Sequence, residues 1–164
     1  MIAAYEALGR DCFLERAMTI AKSLVIDLAA STDGLIWEHY NSQWEQDFNY
    51  NRTDPTHRFR PWGYQPGHLI EWAKLLGTLF RHTDAEWTIA RARELFESAV
   101  DYGWDDEQGG LYYTFDRQGE PVVTDKRSWE IAEGIGAAAI LNEQTGETSY
   151  LDWYDHLWSY AEAN

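Results

Sequence analysis

The sequence predicts an all-α protein of about six helices with one small β-hairpin inserted between them. Apolar residues recur every three or four positions through most of the 164-residue chain, which is the spacing of one helix face. Glycine, proline and aspartate residues separate these periodic segments and mark turns. One pair of short runs, 111–115 and 121–124, has the composition of two strands joined by a turn. A chain of this length has room for one domain with a substantial core.

The N-terminal part of the chain predicts two helices. The first covers roughly the first eight residues and ends at Gly9, a residue that commonly closes a helix. Asp11 is the expected N-cap of the second, which should run to about Ala30. This second helix is amphipathic, because it carries an apolar stripe formed by Leu14, Ala17, Met18, Ala21, Leu24, Val25 and Leu28.

The segment Ser31–Gln65 lacks helical periodicity and contains several turn signals, among them Asp33-Gly34 and Asp54-Pro55. Connections of this length without regular structure are usually functional or contain short strands. Within it, Leu35–Tyr40 has the composition of one strand of a small hairpin.

The central helix begins where prolines and glycines end, so His68 should lie in its first turn. Glu71 follows three residues later on the same side of the helix. The partial positive charge at a helix N-terminus disfavours a protonated imidazole, which predicts a neutral, proton-accepting His68. A purely structural role is the alternative, with His68 at a helix end and Glu71 as an ordinary first-turn acid.

The C-terminal half predicts three further helices. Asp84 is the expected cap of the fourth, which should reach about Tyr102 and carry Arg91 on a solvated face. The fifth should cover about Ser128–Gln144 and the sixth Tyr150–Ala163. The acidic loop 103–110 lacks the spacing of an EF-hand, so no metal site is predicted there.

Trp129 and Glu133 lie four residues apart on one side of the fifth helix, beside small and apolar residues. A carboxylate in that position is either an exposed edge residue or a buried group that accepts hydrogen bonds from a ligand. The pattern alone leaves both interpretations open.

The composition excludes several classes of partner and predicts a cytoplasmic protein. The net charge of −15 would repel nucleic acid and anionic membranes, and no run reaches transmembrane length. The single Cys12 cannot form an internal disulfide, and no secretory leader is visible at the N-terminus. A reducing compartment is the simplest interpretation.

The stretch HRFRPWGYQPGHLIEWAKLL, residues 57–76, resembles the signature of the N-acylglucosamine 2-epimerase superfamily. The elements HRFR (57–60), PGH (66–68) and EW (71–72) stand at the spacing of its mannose isomerase branch. The resemblance implies an (α/α)6 barrel, of which residues 1–164 would form a single partial domain, truncated at both ends, with three helix pairs. Such a half-barrel would expose apolar stripes on its inner helices, so we expect a homo-oligomer, a compact rearrangement or poor solubility.

The resemblance also implies a reaction: metal- and cofactor-independent proton transfer at the carbon next to a sugar carbonyl, through an ene-diol. It implies His68 as one catalytic acid/base, with Glu71 orienting it and Arg58 holding a sugar oxygen. Trp129 and Glu133 match residues that contact the substrate, a monosaccharide such as mannose or fructose. In the family a second histidine lies downstream of the last residue of this chain. The remaining four histidines are interpreted as structural or surface residues.

Two alternatives come from other functional classes. A glycoside hydrolase on a similar toroid would use Glu71 and Glu133 as paired carboxylates. A non-catalytic interaction module, or a remnant of an enzyme, is favoured by the expected truncation at both ends.

Overall fold

The computed structural model describes residues 1–164 and contains six α-helices and one two-stranded antiparallel sheet. This confirms the predicted class, including the small hairpin. The helices are α1 (Ile2–Leu8), α2 (Asp11–Lys22), α3 (Pro66–Thr83), α4 (Glu86–Gly103), α5 (Ser128–Thr145) and α6 (Thr148–Ala163). The strands are β1 (Thr114–Phe115) and β2 (Pro121–Val123), which are shorter than the predicted runs.

Two predicted helix caps are wrong, although the helices they were meant to start are present. Asp11 is the first residue of α2 and caps nothing, since the N-cap position belongs to Arg10. Asp84 closes α3 rather than opening α4: it adopts a left-handed conformation with φ of 50°, and its backbone N–H donates to the carbonyl of Phe80. Asparagine and aspartate tolerate this conformation better than other non-glycine residues, so an aspartate between two helices can serve either one.

Helix α2 continues as a π-helical turn, Ser23–Leu28, and a short 3₁₀ turn, Ala29–Ser31. Arg91 of α4 binds this irregular end. Its Nε donates to the carbonyl of Val25 at 2.9 Å, and its guanidinium also donates to the carbonyl of Gly34 and to Glu94. The predicted solvated position of Arg91 is therefore wrong, because the residue is only 8% exposed and satisfies backbone carbonyls of another segment.

Replacing Arg91 with methionine should destabilise the protein by about 3 kcal/mol, because methionine fills similar space but leaves buried carbonyl groups unpaired. The free energy of unfolding in urea would measure this. Arg93→Met is the matched control, since Arg93 lies on the same helix and forms a surface ion pair with Glu147. We expect the control to lose at most about 1 kcal/mol. Equal losses for the two variants would contradict the assignment of Arg91.

The long segment between Ser31 and Pro66 contains no helix and no regular strand. The strand predicted at Leu35–Tyr40 is absent; only Tyr40 forms an isolated bridge, to Gln46. Trp37 holds the segment in place instead, because it is 1% exposed and its ring lies 5.0–6.2 Å from the rings of four other aromatic residues. These neighbours are His39, Phe48, Trp62 and Tyr64.

Helix α3 is the centre of the fold and packs against both α4 and α5, while α6 covers α5. A methyl group added at Gly67 would meet Trp129 at the start of α5, and one added at Gly77 would meet Ile140 near its end. These close approaches show that α3 and α5 run parallel, with their first turns at the same end of the protein. The buried apolar residues of α3 are Leu69, Ile70, Ala73, Leu76 and Leu79.

The exposure of inner apolar stripes expected for a half-barrel is seen only in part. Leu69, Leu76 and Leu79 of α3 are buried, but Leu75 is only partly buried, and Trp129 of α5 is exposed. Ile20 and Trp158 are further large apolar side chains that are exposed. Association with a second copy stays a prediction. None of the six helices combines the length and the hydropathy that a membrane span requires.

Candidate functional site

His68 and Glu38 form the centre of the candidate site. His68 lies in the first turn of α3, as predicted, and its Nδ1 is 2.9 Å from Oε2 of Glu38 in the long irregular segment. Donation from Nδ1–H to the carboxylate leaves Nε2 as the free nitrogen of a neutral ring, and Nε2 has no protein partner. The His68 side chain is 37% exposed, so this nitrogen is open to a ligand.

Local structure fixes both members of this pair. Pro66 suits the first position of a helix, and Gly67 allows the first turn of α3 to touch α5, which places His68 at the junction of the two helices. Glu38 follows the buried Trp37 directly, so the aromatic cluster around Trp37 also fixes the position of the carboxylate. A histidine whose second nitrogen is held by a carboxylate has a defined orientation and tautomer.

The surrounding charges favour the protonated form of His68. Burial by itself would lower its pKa, but the hydrogen bond and charge of Glu38, together with the charges of Glu71 and Glu130, outweigh burial and raise the pKa. The prediction that the helix N-terminus keeps His68 neutral is therefore wrong in direction. The expected orienting role of Glu71 is also not seen, because Glu71 makes no hydrogen bond to His68 and acts on it only through charge.

Replacing Glu38 with glutamine should lower the pKa of His68, because the amide cannot supply the negative charge that stabilises the imidazolium. NMR titration of labelled histidine side chains would measure the change. Glu45→Gln is the matched control, since Glu45 lies in the same segment and bonds to the exposed Asn41. An unchanged His68 titration in the Glu38 variant would contradict the pairing.

Trp129 and Glu130 bring α5 into the site. The Trp129 ring lies 5.4 Å from the His68 ring, so the structure brings together two of the predicted residues. Trp129 is 36% exposed and can present an apolar face next to the histidine. Glu130 is fully buried and packs against the backbone of Gly67, where an added methyl group would lie 2.6 Å from its Cγ.

The carboxyl group of Glu130 has no hydrogen-bond partner at either oxygen. Burial raises its pKa to about 8. Two influences offset only part of this effect: the nearby backbone amide of Arg127, and the positive charges of His68, Arg127 and Lys126. The Arg127 amide lies outside hydrogen-bonding geometry. Burial therefore favours the neutral form of Glu130, close to the candidate base in the first turn of α3.

Glu133 lies farther along α5 and forms an ion pair with Lys74 of α3. Because α3 and α5 are parallel and Glu130 packs against Gly67, Glu133 lies about 4.5 Å along α5 from that contact, at 1.5 Å per residue. Glu133 is half-buried, which matches neither an exposed edge residue nor a fully buried ligand acceptor. Its predicted contact with substrate stays a prediction.

Arg58 is exposed, and no hydrogen bond or ion pair joins its guanidinium to the other predicted site residues. The guanidinium lies over the ring of Phe59, itself 78% exposed, at 5.3 Å from the ring centre. The backbone of Arg58 is tied to the site more directly, because its carbonyl accepts a hydrogen bond from the Tyr113 hydroxyl at 3.4 Å. Arg127 in turn lies over the Tyr113 ring, 4.8 Å from its centre.

Sequence reasoning missed Glu38 and Glu130. Glu38 is 30 residues from His68 in a segment without periodicity, so no spacing rule connects the two. The glycine at position 67 indicates a close approach of another element, but which α5 residue meets it depends on how the two helices are aligned.

No group of three or more histidine, cysteine or acidic residues is placed to hold a metal ion. In the loop 103–110, Asp105 pairs with Lys126 at 2.9 Å.

The family model for N-acylglucosamine 2-epimerase matches residues 1–164. The chain belongs to the N-acylglucosamine 2-epimerase family. This match confirms the family resemblance of residues 57–76 and extends it to the whole chain. The implied relation to mannose isomerases is confirmed by the curated relatives.

Three curated relatives are D-mannose isomerases. The chain is 38% identical over 162 residues to that of Marinomonas mediterranea, 38% over 167 residues to that of Thermobifida fusca, and 36% over 168 residues to that of Pseudomonas cannabina pv. alisalensis. Each match covers 98% of this chain but only 40–41% of the relative. The chain thus spans about two fifths of the length of these relatives.

Solved structures confirm the fold. A crystal structure of D-mannose isomerase superposes with a TM-score of 0.96 at 37% identity, over 98% of this chain and 41% of that one. A cellobiose 2-epimerase from Bacillus thermoamylovorans superposes with a TM-score of 0.71 at 15% identity, over 93% and 37%. The second match supports the fold alone. The six helices are therefore part of an (α/α)6 toroid, as predicted.

Proposed function

We propose that the chain carries a catalytic base of a sugar isomerase or epimerase that moves a proton at C2 of an aldose. The observation that carries this proposal is the 2.9 Å bond between Nδ1 of His68 and Glu38, which leaves Nε2 open beside Trp129. The names of the relatives support a reaction of this class, with D-mannose as the first substrate to test.

In the proposed reaction, Nε2 of His68 accepts the proton from C2 of the open-chain sugar. The electron pair of the C–H bond forms the C1–C2 double bond of an ene-diol, and the carbonyl oxygen takes up a proton. Glu38 stabilises the imidazolium through the charged hydrogen bond, which makes Nε2 a stronger base. Delivery of the proton from His68 to C1, with loss of the proton on the C2 oxygen, gives the ketose. Delivery of a proton to C2 from the opposite face by a second acid, with loss of the proton on the C1 oxygen, gives the epimer.

Trp129 suits the binding of a monosaccharide, since its partly exposed indole can cover the apolar face of a sugar next to the base. Glu71 lies on the same side of α3 and contributes negative charge near His68. Arg58 and Glu133 are proposed as further contacts of the substrate. The glycoside hydrolase alternative needs Glu133 as one of two catalytic carboxylates, and the ion pair of Glu133 with Lys74 does not favour that role.

Incubating the purified protein with D-mannose in D₂O tests the proposal. We expect deuterium at C2 of the recovered mannose together with formation of D-fructose, or of D-glucose for an epimerase. NMR of the sugars measures both products and exchange. Absence of exchange and of product in a sample with the expected helical circular dichroism would contradict the proposal for this chain and support the non-catalytic alternative.

A further inference from the structure

Glu130 is the most unusual titratable group of the molecule. It is fully buried, and both carboxyl oxygens lack a hydrogen-bond partner. An unpaired buried polar group costs free energy, and a charged one costs far more, so a glutamate at a purely structural position would be expected to have a partner. Glu38, which is mostly buried at the same end of α3, has such a partner in His68 through Oε2, whereas its Oε1 has none.

The position of Glu130 links it to the candidate base. It lies in the first turn of α5 and packs against Gly67, the residue before His68. The groups that act on it electrostatically are His68 of α3 and the cations of Arg127 and Lys126. Three negative charges act on His68: that of Glu38 in the long segment, that of Glu71 in its own helix and that of Glu130 in α5. Tyr113 lies near two of these carboxylates, Glu38 and Glu130.

The two neighbouring groups can hold one proton in two ways. The imidazole can be neutral while the carboxyl is protonated, or the imidazolium can face a carboxylate, and both arrangements contain the same number of protons. Because each charged form stabilises the other, the two groups titrate as a pair rather than independently. Burial favours the neutral arrangement, and the Glu38 bond favours the charged one.

We propose that Glu130 is a positioning residue that controls the protonation of His68 by holding a proton beside it. With Glu130 neutral, only Glu38 contributes a bonded negative charge, so His68 can be deprotonated and accept a proton. With Glu130 ionised, a second negative charge near the ring stabilises the imidazolium, so His68 retains its proton. This role concerns the base assigned under the proposed function and would limit the pH range in which that base is available.

The test is an NMR titration of wild type and Glu130→Gln with labelled histidine and glutamate side chains, from pH 5 to pH 9 and without substrate. We expect the wild-type His68 signal to titrate in two steps, with the Glu130 carboxyl changing at the same two midpoints. In the variant, His68 should titrate in one step. Glutamine is nearly isosteric with the neutral acid, so the fold should be retained.

Glu143→Gln is the matched control, because Glu143 lies on the same helix and pairs with Arg81 at the surface. The His82 signal, from a residue paired with Glu6, serves as an internal reference. A wild-type His68 that titrates in a single step, with Glu130 at an unrelated midpoint, would overturn the proposal even if the variant did not fold. Coupled titration without sugar turnover would instead contradict only the proposed function.

Discussion

Replacing His68 with asparagine is expected to slow exchange of the C2 proton of mannose by about 10²–10⁴-fold, the usual contribution of a positioned acid or base. Asparagine is close in size and polar, but it cannot accept a proton near neutral pH. The effect should appear in the rate of exchange at saturating sugar, because the substitution removes the proton acceptor and leaves Trp129 in place. Deuterium uptake followed by NMR provides the measurement.

His82→Asn is the control for this experiment. His82 is near the end of the same helix, pairs with Glu6 and lies at the opposite end of α3 from the site. Its replacement should leave exchange within a factor of about two, since it removes only a partly exposed ion pair. Undiminished exchange in the His68 variant would remove His68 from the mechanism.

The free energy of unfolding should fall by several kcal/mol as the pH rises from about 4.5 to about 8, because of Glu130. The folded-state pKa of Glu130 is raised above its unfolded value of 4.5, so between these pH values the folded protein holds a proton that the unfolded chain releases. Its stabilising contribution is fully present below pH 4.5 and is lost as the pH approaches 8. His68, whose pKa is also raised, acts in the same direction above its own unfolded value.

Urea unfolding at several pH values, in wild type and Glu130→Gln, measures this effect. The variant cannot ionise at that position, so its stability should change much less over the same range. Glu143→Gln, at an exposed position of α5, should retain the wild-type slope. Parallel curves for wild type and Glu130→Gln would show that Glu130 is not held neutral in the folded protein.

The sequence was sufficient to predict the helices, because their apolar residues follow one face. The fifth helix was predicted at Ser128–Gln144 and observed at Ser128–Thr145, and the family resemblance correctly implied the toroidal fold. Local rules failed where a residue can serve two purposes. Asp84 fits the end of α3 as well as the start of α4, and only the observed left-handed conformation decides between them.

The candidate site was only partly predictable for a different reason. His68 and Trp129 follow from a local helix pattern and a family motif, and the structure places their rings together. Glu38 reaches His68 from an irregular segment, and Glu130 depends on how two parallel helices are aligned. The same holds for Arg91, whose bonds to Val25 and Gly34 join parts of the chain more than 50 residues apart. Such contacts are properties of the tertiary structure.

The bond between a loop carboxylate and a helix histidine connects base strength to the local stability of the segment that carries Glu38. Segments without helix or sheet generally open at lower free energies than core helices such as α3. Each opening that displaces Trp37 would also withdraw Glu38, leaving His68 a weaker base until the segment closes. Amide hydrogen exchange around Trp37 therefore reports how often the site is assembled, and a sugar that holds the segment closed would increase both protection and reactivity.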